Sequence, residues 1–203
     1  MIGESQKRMA GAPSCLRFLQ DDVLHLHFED AYFDACFSIN TFQHLPDPDR
    51  ALSQLVRVTK PGGRIAVADP DHELVAIDTP YGEVNRKFLQ FRSDSLKQGG
   101  LAHRLYGLFR QRGLADVRVE VWPLVFTDYE QRRLTAPYLD EIWVAQEHGA
   151  VSREEAEAWS AYLRQAVAEG RFLSIQTNII TLGRKPGAEA NAPPTMRGSG
   201  PSA

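Results

Sequence analysis

The segment FDACFSINTFQHLPDPDRALSQLVRVTKPGGRIAVADPD, from Phe33 to Asp71, leaves a chain few ways to fold. Its first part, YFDACFSIN, is dense in aromatic and apolar side chains without clean alternation, as expected of a strand covered on both faces. Asp47 is placed to cap a helix N-terminus, and Pro48 suits the first helical position, where a missing N–H costs nothing. Ala51, Leu52, Leu55 and Val56 then fall on one helical face. Pro61 cannot prolong that helix, Gly62-Gly63 supplies a tight reversal, and RIAVAD follows as a second buried strand. Strand, helix and strand joined this closely make a βαβ unit, which builds a parallel sheet with a right-handed crossover.

The flanking segments are read around that unit. MIGESQKRMAG offers a helix of about two turns with a thin apolar face. CLRFLQDD, from Cys15 to Asp22, reads as a short strand ending in acids. Helices are expected from Glu83 to Lys97 and over 101–113, where Leu101, Leu105, Leu108 and Phe109 repeat and Gly113 stops the run. DVRVEVWPLVFTD is a strand disturbed at Pro123. A helix is expected from Glu130 to Glu147, and another starts at Ser152, with Glu155 three residues on completing a capping box. RFLSIQTNIITLGRK is a last strand, long enough to pair antiparallel with 116–127. The domain is therefore set at 1–185, with 129–169 a helical insertion before the last strand and 186–203 a disordered, low-complexity tail.

Composition narrows the partners. The 203 residues are 43% hydrophobic, enough for one sizeable core. Twenty-three basic and 26 acidic side chains leave a formal net charge of -3, so there is no bulk attraction to nucleic acid or an acidic membrane. Local basic pairs such as Arg132-Arg133 read as solvated surface. Cys15 and Cys36 form no staple pattern, and no apolar run of about 18 residues or signal-peptide core is found, so the expected compartment is the cytoplasm.

Taken together, FLQDDVLHLHF, YFDACFS, FQHLPDPDRALSQLVRVTKPGGRIAVADPD and the C-terminal strand pair resemble the class I S-adenosylmethionine-dependent methyltransferases of the small-molecule type. The resemblance spans about Met1 to Gly187. It implies an α/β, Rossmann-like, mostly parallel sheet with an antiparallel strand pair at the C-terminal edge, and S-adenosylmethionine as cofactor. By that pattern, residues 15–20, 33–39 and 64–69 are the third, fourth and fifth strands, and MIGESQKRMAG is the helix after the second. The family's Gly-rich loop and its ribose-binding acid, which belong to the first strand–helix–strand, have no counterpart in these residues. The expectation is a truncated unit: its missing part lies upstream, or on a complementing chain, or the chain is defective, the first being the preferred reading.

The same pattern assigns candidate residues. Asp22 stands where the family accepts from the adenine amino group, with the Val23 backbone beside it; the alternative is a solvated acid at a strand end. Asn40, at the carboxyl end of a parallel strand, faces the methionine part of the cofactor or simply forms a turn. Phe42 packs on the cofactor or joins the core. His44 is the candidate base, against a purely structural imidazole. Asp69 and Asp71, with His72, are candidates for the acceptor pocket and for holding or removing an acceptor proton, against a capped loop. Tyr81, Phe88, Phe91, Trp122, Phe126 and Tyr129 are an aromatic set shared between substrate wall and core. No metal site is expected: His25 and His27 sit two apart without a Cys cluster or HExxH helix, and His27 stands where the family's loop has Pro.

The resulting expectation is methyl transfer to an O, N or C nucleophile of a small molecule, the chain acting with a second copy or a complementing chain. Two other classes are weighed: a non-catalytic interaction module, and a dinucleotide-binding oxidoreductase, which requires a G-x-G-x-x-G turn that is absent here.

Overall fold

The computed structural model describes residues 16–187. The MIGESQKRMAG helix and nearly all of the 186–203 tail lie outside those residues. Four strands form one sheet in the order β1-β2-β4-β3, with β1 Phe33–Ile39, β2 Thr59–Ile77, β3 Ala115–Phe126 and β4 Ser174–Arg184. β1 and β2 are parallel, whereas β4 runs antiparallel to both of its neighbours. The βαβ unit and the antiparallel C-terminal pair are therefore both present, in the expected places.

The crossover helix α1, Pro48–Val58, starts as its sequence directs: the Asp47 carboxylate accepts from Arg50 N–H at 2.9 Å. It ends at Thr59, whose hydroxyl donates to Leu55 O at 2.6 Å. The Lys185 ammonium then reaches the Val56 and Thr59 carbonyls, both at 2.8 Å, placing a cation at the negative end of the helix. The chain enters β2 at once, so Lys60-Pro61-Gly62-Gly63 lies inside the strand, with Gly62 at φ 81° taking up a left-handed kink. Gly63 has another reason to be glycine. A Cβ there would stand 2.7 Å from Asp34 O and 2.9 Å from Lys60 O, both backbone atoms that cannot swing aside. Gly63→Ala is therefore expected to cost about 2 kcal/mol in urea unfolding. A loss under a few tenths would show that the β1–β2 entry can shift.

One face of the sheet is covered by α1 and by α3, Leu105–Gln111, around Phe42, Leu52, Leu55, Ile65, Val67 and Phe109. A second cluster forms where β2 and β4 run on past β1. There α2, Gly82–Ser95, packs with α4, Tyr129–Arg133, α5, Tyr138–Glu147, and α6, Arg153–Ala168, around Phe88, Tyr138, Ile142, Trp159 and Leu163. The Ser152–Glu155 capping box that starts α6 is formed in both directions, at 3.1 and 2.7 Å. The single helix expected over 130–147 is instead α4 and α5. Pro137 has no N–H for the ladder and disfavours helical geometry at Ala136.

Register sends Ala35, Phe37, Ile39, Ala66, Ala68, Ile180 and Leu182 to the opposite face, which no described element covers. Phe37 is 74% exposed and Ile39 59%. The strand expected at 15–20 is not formed. Residues 16–22 carry no ladder and Leu19 is 64% exposed, because among the described residues nothing stands between them and the open edge of β1 to pair with. No described helix is long and apolar enough to cross a membrane.

Candidate functional site

β1 ends at Ile39 beside Ala68 of β2, and a cavity of about 580 Å³ opens where β2 runs on past it. β1 stops because Asn40 turns left-handed, at φ 51°, while its N–H still donates to Ala68 O at 2.9 Å. The chain then coils into the single 3-10 turn Phe42–His44. Asp69, from the next strand, holds that turn: its Oδ2 accepts from Phe42 N–H at 3.1 Å, and the carboxylate is 1% exposed. Burial raises the Asp69 pKa to about 6, although hydrogen bonding by the Phe42, Thr41 and Gln43 amides acts against it.

The turn carries Gln43 and His44 to the cavity. Gln43 Oε1 lies 2.6 Å from His72 Nε2, so in this orientation the imidazole donates from Nε2 and keeps its Nδ1 lone pair. That Nδ1 is buried and has no partner among the described residues. Burial, reinforced by the positive charges of Arg92 and Arg132 and only partly opposed by Asp71, lowers the His72 pKa to about 4. The imidazole is therefore neutral at physiological pH. His72 sits at the start of a bulge in β2, where the ladder to β4 breaks between Asp71 and Val75. The Asp71 carboxylate, fully buried, bonds His103 Nδ1 at 2.6 Å and accepts from the His103 and Glu73 N–H groups, each at 3.0 Å.

The opposite wall comes from the helical insertion and from α2. Arg92 on α2 pairs with Glu141 on α5, Nε to Oε2 at 2.5 Å, with its side chain 11% exposed. Arg132 lies one layer behind and is completely buried. It donates to Gln176 Oε1 at 2.8 Å, to Thr135 Oγ1 at 2.9 Å and to the Tyr138 hydroxyl. Its guanidinium stands 4.6 Å from the Tyr138 ring centre and 4.8 Å from that of Phe126. Phe91, Leu124, Phe126 and Val144 supply the apolar part of the lining.

The sequence-predicted residues distribute unevenly around this cavity. Asn40 and His44 line it, as does His72. Asp69 and Asp71 do not; each is buried and acts on backbone or imidazole groups behind the wall. Phe42 is corrected from cofactor contact to core: its ring has no exposed surface and packs with Leu52 and Ile65. Of the six aromatics, Phe91 and Phe126 line the cavity, Phe88 and Tyr129 are core, and Tyr81 and Trp122 are exposed. Arg132 is corrected from solvated surface to buried wall, whereas Arg133 does face solvent and pairs with Glu130. Gln43, Arg92, Glu141 and Gln176 were missed, since nothing in their local sequence distinguishes them from ordinary polar positions.

Asp22 and Val23 lie on a loop tied down from both sides. Asp22 Oδ1 accepts from Leu24 N–H at 2.9 Å, and the side chain remains 61% exposed. Asp21 instead bonds His27, ring and backbone, and those bonds lower its pKa. Arg50 Nε holds Leu24 O at 3.0 Å, and Arg57 holds Leu26 O and Phe28 O at 2.7 and 2.8 Å. Arg50 is in the first turn of α1, so the Asp22 loop is drawn toward the end of the sheet where Asn40 emerges. Asp22 thus offers an outward carboxylate, and Asn40 an amide at the cavity rim, on neighbouring loops. His25 and His27 are each engaged by an acid of their own loop, and no described group of three His, Cys, Asp or Glu residues is arranged to hold a metal.

Residues 1–67 match the family described as "Methyltransferase domain". A demethylmenaquinone methyltransferase of Desulfitobacterium hafniense is 32% identical over 137 residues, which cover 59% of this chain and 54% of that protein. Phosphoethanolamine N-methyltransferase 2 of Caenorhabditis elegans is 27% identical over 152 residues, covering 75% of this chain and 30% of the worm enzyme. The chain thus spans between about a third and about half the length of these curated relatives. Among solved structures, the YcgJ protein of Bacillus subtilis superposes with a TM-score of 0.58 over 93% of this chain and 79% of its own, at 22% identity.

Proposed function

We propose, on the premise that this chain belongs to the class I S-adenosylmethionine-dependent methyltransferases, that it transfers a methyl group to a nucleophilic atom of a small molecule held in the cavity where β1 ends beside β2. The observation that carries this reading is the neutral His72 imidazole lining the cavity with an unpartnered Nδ1 lone pair. It is a hydrogen-bond acceptor with no partner among the described residues, placed where open parallel sheets bind their ligands.

The residues present suit the cofactor. The outward carboxylate of Asp22 accepts from an exocyclic amino group, and the Asn40 side chain offers an amide to an amino-acid tail. When bound, S-adenosylmethionine supplies a methyl group on a sulfonium leaving group, so the protein's work is alignment and exclusion of water. Phe91 and Phe126 supply apolar lining, the neutral His72 imidazole helps fix the orientation of the acceptor, and His44 at the more exposed rim takes the proton an acceptor O–H or N–H releases. Gln43 fixes the His72 ring through its Nε2, and Asp69 fixes Gln43 through the turn.

The test is calorimetric titration of a sample shown to unfold cooperatively, using S-adenosylhomocysteine. Saturable binding is expected, weakened about tenfold by Asp22→Ala, the effect of losing one hydrogen bond to a charged group. Absence of binding by folded protein would remove catalysis by this chain alone. The second reading would then stand: an interaction module, favoured by the face bearing Phe37 and Ile39 and by the edge of β1, both left open among the described residues. That face is also where a second copy or complementing chain would pack. We place the reaction in the cytoplasm, which the free Cys36 thiol suits.

A further inference from the structure

We propose that the molecule held in this cavity is an amphiphile with an oxyanion head, a carboxylate or phosphate, seated on the Arg92 guanidinium while an apolar body lies against Phe91, Phe126 and Leu124. This rests on the cavity being the acceptor site and names the chemical class of its occupant.

The argument is one of charge left unbalanced. Four ionisable side chains line the cavity: His44, His72, Arg92 and Glu141. Behind them Arg132 is fully buried, and its three hydrogen-bond partners, Gln176, Thr135 and Tyr138, are all neutral. Among the described residues no carboxylate pairs with it. Glu141 pairs with Arg92, whereas Arg132 is held by neutral groups alone; the buried carboxylates behind the wall are engaged elsewhere, Asp69 by the Phe42 N–H and Asp71 by His103. A guanidinium kept from water without a counter-ion is costly, and an anionic ligand removes that cost on binding.

Donor geometry points the same way. Arg92 spends its Nε on Glu141 and has only a long 3.5 Å contact from Nη2, while Nη1 is buried without a partner. Arg132 Nε is likewise unpartnered. Of these donors Arg92 Nη2, on a side chain that lines the cavity, is the one loosely engaged, and a guanidinium N–H of this kind is what a planar oxyanion accepts from. Gln176 and Thr135, which hold Arg132, are themselves part of the lining, so the second guanidinium acts on the cavity through one layer of neutral dipoles. The neutral state of His72 fits the same positive field, to which both arginines contribute. Phe91, Leu124, Phe126 and Val144 form an apolar stretch of a lining that elsewhere carries Ser95 and Asn178, and that stretch suits an apolar body.

Sodium benzoate and its neutral isostere benzamide separate the proposal from simple apolar binding, with inorganic phosphate as a third probe. Each is titrated into the ¹⁵N-labelled full chain at matched ionic strength, following the Arg92 Nε–H resonance and, for Arg92→Gln as well, the backbone amides of Phe91 and Val144. Benzoate and phosphate should shift it saturably, and benzamide should bind at least tenfold more weakly. Arg92→Gln should erase the difference between benzoate and benzamide, and Glu141→Gln, which frees the Arg92 guanidinium, should strengthen benzoate binding severalfold. Thermal unfolding of each variant is recorded alongside: a purely structural Arg92 would lower Tm and leave the benzoate preference intact. Equal binding of benzoate and benzamide, or no saturable shift with either anion, overturns the proposal. S-adenosylhomocysteine titration of the same samples reports separately, since loss of that binding with benzoate preference retained would sink the methyltransferase reading and not the anion site.

Discussion

Asp69→Asn is expected to stabilise the protein by about 2 kcal/mol at pH 8. The Asp69 carboxyl titrates at about 6 in the folded state, above its ordinary 3.8, because it is 1% exposed. A raised folded pKa contributes stability that is fully present below pH 3.8 and lost as pH rises through 6. The shift of roughly two units corresponds to about 3 kcal/mol. Asparagine keeps an oxygen for the Phe42 N–H but buries an NH₂ beside it, which returns about 1 kcal/mol. His72 has the opposite sign. Its pKa is lowered from 6.5 to about 4, so its contribution is present above pH 6.5 and lost as pH falls toward 4, again by about 3 kcal/mol. In the native protein the two slopes oppose each other between pH 4 and 6.5. Asp69→Asn removes one of them, so the variant should lose about 3 kcal/mol on acidification from pH 7 to 4 while its parent changes much less. Urea unfolding across that range measures both curves. Parallel curves would mean that Asp69 is solvated.

The second large effect is expected at Trp159, the largest side chain with no exposure in the molecule. Its ring lies 5.2 Å from Phe88, which in turn meets Tyr138 edge-on at 5.8 Å, so α2, α5 and α6 are locked through three aromatics. Trp159→Ala should cost about 3–5 kcal/mol. The loss would loosen the wall that carries Arg92 and Glu141, so benzoate binding should fall with it. Trp159→Phe is the informative control. The indole N–H is buried without a partner, and its removal offsets part of the lost packing, so the cost should be about 1 kcal/mol. Equal losses for the two variants would show that ring volume is not what holds the wall.

Much of the architecture could be read from local chemistry. Asp47-Pro48 and the Ser152–Glu155 box act within one turn of chain, and both caps form as written. The βαβ unit was legible because its turns are short and its apolar content is high. The strand expected at 15–20 was not, since a strand is stabilised by its neighbours and residues 16–22 have none among the described residues. The wall arginines were invisible for a related reason. Arg132 and Arg133 are adjacent and chemically identical, yet one meets Gln176 across 44 positions and the other meets solvent. Asp69 and Asp71 read as rim acids because alternation along β2 places both on one face without saying that the face is sealed. The Asp71–His103 pair, 32 positions apart, left no local trace.

The break in the β2–β4 ladder gives the molecule a joint. Eight register pairs run from Arg64↔Arg184 to Asp71↔Thr177, and three more from Val75↔Gln176 to Ile77↔Ser174. The longer length bears Ile65 and Val67, anchored in the α1–α3 cluster, and the shorter bears Ile77, anchored in the aromatic one. Bending of the ladder concentrates where register is lost, and His72 is the first residue of that interval. Cavity width and imidazole position are therefore set at one place: a bend of the ladder there would spread the two clusters and move His72 with them.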